Sequence, residues 1–391
     1  MSRVLFVTAG LGRGGAEVFL VRLAARLASR GHVCAVASLG SNGPLAGDLA
    51  ASGIPVSELG RGVASPSWRL ARCARAFRPD VVQGWMYRAN LAACLAARAS
   101  KSRAALLWSV RQGLNDLESS PWLTRMTIAW NARWSRLPFA IVYNAESAAR
   151  QHEAAGFLMS RTRVVPNGID VSTSLPDADV HSRIRASLGV PDRAFVVGFF
   201  ARWHPVKNHR GFVDAAALFA RRNESARFLL AGAGVDAANA SLVSWLTKAG
   251  ISKRCVLLGE RSDVSDLLAA SDVATLASLG EALPNSMLEA MAAGIPCVAT
   301  DVGDVAELIG DSGVVVPAGD ADALAAGWER LAAMAATERR LLGERARARV
   351  AERYSLERAV GAFEALYLEA HGGHGGRELV GDRRGEPTGK G

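Results

Sequence analysis

Short, continuously apolar runs alternate along this chain with longer stretches in which apolar residues return every three or four positions. The runs cover 4–8, 33–39, 54–59, 80–83, 105–110 and 139–143, and then 194–201, 227–231, 255–258, 273–277, 296–300 and 313–316. Helical patterns lie between them, one reaching about residue 29 and others over 66–77, 88–99, 118–137, 146–155, 320–335, 337–352 and 356–370. The first helix has Val18, Leu20, Val21, Leu23, Ala24 and Leu27 for burial, and Gly31 stands where its end is expected. Strands apolar on both faces, each followed by a helix, predict parallel sheets covered on both sides, the doubly wound α/β class.

The rhythm breaks once. Pro166, Asn167 and Gly168 close the first series, and 171–180 is polar and turn-rich, which predicts a linker. A chain of 391 residues is too long for one ordinary core. We therefore expect a first Rossmann-like domain at 1–172 and a second at 173–355, facing a central cleft where the strand ends of both would meet a ligand. A helix at 356–371 is expected to pack back on the first domain, and the Gly- and Arg-rich tail at 372–391 to be disordered.

Charge adds an asymmetry. Of the +9 total, residues 1–170 hold 21 Lys/Arg against 9 Asp/Glu, and the remainder 25 against 28. A basic first half predicts an anionic partner on that side. No uncharged apolar run approaches the roughly 18 residues of a membrane span. The strand pattern starts at Val4 with no leader ahead of it, and Cys34, Cys73, Cys94, Cys255 and Cys297 lack paired spacing. Together these predict a cytoplasmic protein with free thiols. On a helical wheel Trp122, Leu123, Met126, Trp130, Trp134 and Leu137 share about one third of the circumference, with Arg125 and Arg136 beside them. Two readings stand: a face packed in the core, or an interfacial helix that holds the protein peripherally on an anionic membrane, on its inner face.

The candidate chemistry centres on Glu281–Glu289. Two carboxylates stand eight positions apart, with Pro284 and Asn285 at the entrance of an apolar helix that Gly294 stops. Asn285 or Ser286 is expected to cap it. Unpaired amides at such an entrance favour a phosphate, and flanking carboxylates favour sugar hydroxyls. Arg202 and Lys207, at the end of the second domain's first strand, supply cations for a diphosphate. Near the start, Gly10, Gly12 and Gly15 match a dinucleotide fingerprint, but Ser38, Leu39 and Gly40 stand where its ribose-binding acid belongs. The glycines then remain either a tight turn or a bare backbone for phosphate or sugar, with Glu17 in the first helical turn. No metal site is indicated: Asp177, Asp179, Asp320 and Asp322 lie in a linker and at a helix start.

These segments resemble glycosyltransferase family 4, the retaining class of GT-B fold that builds bacterial polysaccharides and lipid-linked glycans. Arg202, Lys207, the Glu281–Glu289 block and the stretch from Ala290 to Gly303 carry the resemblance, with Gly14, Gly15, Ala16 and Glu17 and the segment Pro166 to Asp170. It implies a metal-independent enzyme with no cofactor, using a UDP- or GDP-linked sugar as co-substrate. Glu289 would hold the ribose, Glu281 the transferred sugar, and the backbone of Leu283, Pro284, Asn285 and Ser286 the sugar and phosphate. Arg202 and Lys207 would grip the diphosphate and, with Glu281, serve catalysis; Gly14 and Gly15 would approach the donor, and Arg261 the base. The acceptor would be a glycan or lipid-linked hydroxyl, met by Glu17, Trp85 and Arg88; Arg111, after the fifth strand, reads equally as an acceptor contact or as ordinary loop packing, and no nucleic acid is expected. Many relatives place a His at the end of the fourth strand, where this chain has Gln83, Trp85 and Arg88. A sugar-nucleotide epimerase or hydrolase, or a non-catalytic sugar-nucleotide-binding protein at the membrane surface, shares the same pattern.

Overall fold

The computed structural model describes residues 1–40, 43–60, 65–100, 104–115, 117, 120–171 and 178–375. The first sheet contains β1 (Arg3–Thr8), β2 (Val33–Ser38), β3 (Val56–Glu58), β4 (Val81–Trp85), β5 (Ala105–Val110), β6 (Ala140–Tyr143) and β7 (Thr162–Val164). Its helices are α1 (Gly15–Ser29), α2 (Leu45–Ala51), α3 (Pro66–Phe77), α4 (Tyr87–Ala99), α5 (Trp122–Trp134) and α6 (Glu146–Ala154). The second sheet contains β8 (Phe195–Phe200), β9 (Ala226–Ala231), β10 (Cys255–Leu257), β11 (Val273–Leu276), β12 (Cys297–Thr300) and β13 (Gly313–Val316). Around it lie α7 (Ala178–Ser187), α8 (His209–Arg222), α9 (Ala240–Lys248), α10 (Val264–Ala269), α11 (Asn285–Ala292), α12 (Val305–Ile309), α13 (Ala321–Ala333) and α14 (Ala336–Arg353), before α15 (Leu356–Gly375).

All pairings are parallel, in the orders β3-β2-β1-β4-β5-β6-β7 and β10-β9-β8-β11-β12-β13. In each sheet the order of strand addition reverses between its first and fourth strands, so the crevice at the strand ends lies after β1 in one and after β8 in the other. Those are the positions of the Gly-rich turn and of Arg202.

Several elements escaped the sequence pattern, among them α2, α9, α10 and α12, and two more for visible reasons. β7 is three half-buried residues with Arg163 at its centre, so it carries no apolar run. α7 begins at Ala178, inside the stretch expected to be linker; residues 172–177, with Asp177, lie outside the described residues. The helix expected over 118–137 is α5, and 118 and 119 also lie outside them.

The two domains are joined twice. Beside the 165–171 crossing, the chain returns at 353–356: Ile169 N donates to Tyr354 O at 2.9 Å, and Leu356 N to Ile169 O at 2.8 Å. Gly168 sits where a Cβ would strike Leu356 and the Ser355 carbonyl. α15 then lies on the first domain, adding Ala359, Val360, Phe363, Leu366, Tyr367 and Ala370 to the core of α1 and β1. Arg26 on α1 and Arg30 just after it pair with its Glu357.

Candidate functional site

After β8 the chain passes exposed Arg202, makes one 3-10 turn at Pro205–Lys207, and enters α8 through Asn208 at φ 53°. Asn208 Oδ1 accepts from the Gly211 amide at 3.1 Å, a cap that fixes Lys207 at the helix mouth. From the neighbouring strand end, Ser278 Oγ donates to Glu281 Oε1 at 2.8 Å, and Lys207 Nζ pairs with the same oxygen. The Glu281 side chain is 14% exposed, so the pair is half-sheltered and oriented by a hydroxyl. Gly303, at φ 60°, lets the loop after β12 pass against the carbonyls of Glu281 and Ala282, where a Cβ would collide.

α11 starts at Asn285 with no side-chain cap, contrary to the expectation for Asn285 and Ser286. The physical reason is competition across the cleft. Asn285 Nδ2 donates to Gly15 O at 2.9 Å, and its Oδ1 accepts from Asn167 Nδ2 at 2.8 Å. The first amides of α11, free of a side-chain cap, thus lie beside the Gly14–Gly15 turn. One turn on, Glu289 Oε1 accepts from Arg22 of α1 at 3.2 Å. Burial raises the Glu289 carboxyl above its ordinary range, and the Arg22 charge pulls it back. Glu17, also on α1, is raised by burial and drawn down by Arg202 on the facing domain. Leu283 and Pro284 are buried and offer only backbone, while Ser286 is half-buried.

The remaining expected residues divide. Arg261 is exposed on the loop after β10, its Nε bound to Asp263 Oδ1 at 2.8 Å. Trp85 is fully buried: its indole donates to Ala16 O at 2.9 Å and packs on Phe6, Phe19 and Phe363. It cannot meet an acceptor. Arg111 is equally out of reach, with its guanidinium 5.1, 4.9 and 5.3 Å from the ring centres of Phe19, Trp85 and Phe363. It donates to Val165 O at 2.8 Å and holds the crossing segment, and burial pushes it down to about 9. Both are strand-end residues whose side chains turn into the core that α15 completes. Gln83 is buried too, donating to Ser109 Oγ at 2.8 Å and accepting from Tyr367. His152 does not substitute for the missing strand-end His: it is buried and takes a hydrogen bond from Tyr87 at 2.8 Å. Arg88 is exposed and lines a groove between α3 and α4.

Sequence reasoning missed the residues that cross the cleft. Besides Arg22, Asn115 Nδ2 donates to Glu281 O at 3.2 Å. Asp304 accepts from the amides of Glu146 and Ser147 at 2.6 and 2.9 Å, capping α6 of the first domain from the second. Such partners lie more than a hundred positions apart and leave no local signal. Among the described residues, no three His, Cys, Asp or Glu side chains gather as a metal site requires.

Residues 13–173 match the model of Glycosyltransferase Family 4, and residues 194–334 that of Glycosyl transferases group 1. The chain belongs to glycosyltransferase family 4. It is 33% identical over 141 residues to the UDP-Gal:alpha-D-GlcNAc-diphosphoundecaprenol alpha-1,3-galactosyltransferase of Escherichia coli, covering 36% of each chain. It is also 30% identical over 190 residues to the N-acetyl-alpha-D-glucosaminyl L-malate synthase of Bacillus anthracis, covering 48% of this chain and 49% of that one. The chain thus spans about half, or less, of the length of these curated relatives. Anabaena HepE, solved in complex with UDP and glucose, superposes with a TM-score of 0.82 over 94% of this chain and 100% of its own, at 21% identity. The fold is GT-B, and Glu281, Glu289, Arg202 and Lys207 of this family member stand around one cleft between its two sheets.

Proposed function

We propose that this family 4 member is a retaining, metal-independent glycosyltransferase that moves a sugar from a UDP- or GDP-linked donor to a hydroxyl of a lipid-linked or polysaccharide acceptor. One observation carries the reading: Lys207 and Ser278 hold Glu281 at one end of the uncapped α11 entrance, and Glu289 stands at the other. A diphosphate fits between, with its sugar toward Glu281 and its ribose toward Glu289. In the reaction, the acceptor oxygen bonds to the anomeric carbon on the face from which the diphosphate departs. The bond to the diphosphate oxygen breaks, and that oxygen takes the acceptor's proton. Arg202, Lys207 and the α11 amides meet the charge that develops on the leaving group. Relatives support the donor class: HepE was solved with UDP and glucose, and the Escherichia coli relative is named for a UDP-linked donor and a diphosphoundecaprenol acceptor. No helix among the described residues is long and apolar enough to cross a membrane. Apart from that observation, the proposal has a lipid-linked acceptor met in the cytoplasm, peripherally on the inner membrane face.

Calorimetric titration with UDP- and GDP-sugars tests the donor. We expect binding to one class, lost in Glu289→Ala and in Lys207→Ala. Wild-type affinity in both variants would remove the assigned site. Consumption of donor without any acceptor would redirect the reading to an epimerase or hydrolase.

A further inference from the structure

Helix α5 is turned inside out. Its buried side chains are Ile128 and Asn131, while Trp122, Leu123, Met126 and Trp130 are 65, 61, 48 and 49% exposed. Trp134 and Leu137 continue the same face. Asn131, the polar residue, points inward and donates to Tyr87 O at 3.1 Å. The wheel's apolar third therefore does not pack in the core, which leaves the interfacial reading.

The neighbouring helices extend the pattern. Trp68 on α3 is 55% exposed with the Arg72 guanidinium 5.6 Å from its ring centre, and Leu95 on α4 is also exposed. α3, α4 and α5 carry Arg69, Arg72, Arg75, Arg88, Arg98, Arg125 and Arg133, and not one Asp or Glu. Apolar rings among arginines, on helices that carry no acid of their own, match the interface of an anionic bilayer. Between these helices lies a groove of about 320 Å³, the lower end of small-ligand pockets. Leu39, Pro66, Leu70, Leu91 and Leu95 line it, with exposed Arg88. Leu39 follows β2, Pro66 begins α3 and Arg88 lies in the first turn of α4, so the groove opens at the same strand-end edge as the Gly14–Gly15 turn.

We infer that the α3–α4–α5 face seats on an anionic bilayer, and that its groove receives the apolar chain of a phosphate-bearing membrane lipid, with Arg88 on the phosphate. The bilayer contact stands by itself; the groove assignment rests on the proposal of a lipid-linked acceptor.

Co-sedimentation of the full chain with phosphatidylcholine vesicles, with and without phosphatidylglycerol, tests the face. Binding is expected only with the anionic lipid, and Trp122→Ser with Trp130→Ser should weaken it by about tenfold or more. Neither ring is buried, and the ring Trp130 meets is that of Trp134 on the same exposed face, so the melting temperature should change little. Equal binding to neutral and anionic vesicles, or no loss in the double variant, overturns the docking. Fluorescence titration with dansylated farnesyl phosphate tests the groove. The wild type should bind, and Ala92→Phe, which fills the groove, should lose binding while still sedimenting with anionic vesicles. Undiminished binding by a folded Ala92→Phe, or none by the wild type, overturns the groove. Sugar-nucleotide calorimetry needs neither vesicle nor isoprenyl probe, so failure of the donor reading would appear there alone.

Discussion

Helices α11 and α5 are both amphipathic, and they are mounted in opposite senses. α11 buries Met287, Leu288, Ala290, Met291 and Ala292 against the second sheet and leaves Glu289 facing the cleft. α5 turns its apolar side to solvent and its Asn131 to the core. Periodicity reports that a helix has two faces, but which face meets the core depends on what the rest of the fold offers it. For α11 the answer was in its own flanks, a Pro-Asn entrance after a strand. For α5 it lay in the charge of two other helices.

Five experiments would break or sharpen that contrast. Met291→Asp on α11 places a charge in a fully buried site and should cost beyond about 4 kcal/mol in denaturant unfolding. Met126→Asp on α5 should stay within about 0.5 kcal/mol; a large loss there would return α5 to the core. Next in size, Glu289→Ala or Lys207→Ala should lower transfer by roughly a hundredfold to a thousandfold at an unchanged melting temperature. Trp130→Ser should leave transfer to a water-soluble acceptor intact. Arg111→Ala removes a cation caged by three rings, and about 3 kcal/mol of stability should go with it in thermal unfolding. Wild-type stability would show that the crossing segment does not depend on it. Asp304→Ala uncaps α6 and should cost about 1 kcal/mol, read as faster amide exchange at Glu146 and Ser147.

The smallest effect is one of pH. On the proposed reading the Glu289 carboxylate is the stronger acceptor for the ribose hydroxyls, and burial raises its pKa above the ordinary carboxylate range. Donor affinity should therefore begin to fall at a higher pH than an ordinary glutamate would give, as acid protonates it. Glu289→Gln should flatten that acid limb, and an identical limb in the variant would assign the titration elsewhere.

Much of the architecture was legible because buried parallel strands are apolar on both faces, and twelve of them show as runs. β7 was not, because its Arg163-centred edge needs no apolar side chains. The cations and carboxylates of the cleft were legible as local spacing. Their partners were not: Arg22 and Glu289 are separated by 267 positions, and only the fold brings them together. Trp85 and Arg111 misled for the same reason, since a strand-end residue points at ligand or at core according to what covers it. Here the cover is α15, which follows the whole second domain in sequence.

That helix sets an order on how the molecule is made. Phe363 packs on Phe19 and Trp85 and closes the ring around Arg111, and Tyr367 hydrogen-bonds Gln83. While the ribosome is still producing the second domain, the first must wait with a cationic, aromatic gap in its side. The first domain therefore completes its core only after every strand of the second sheet has been synthesised, so the usual domain-by-domain order does not close it. A nascent chain stalled before Leu356 should remain open to protease on that flank, and one that includes α15 should not.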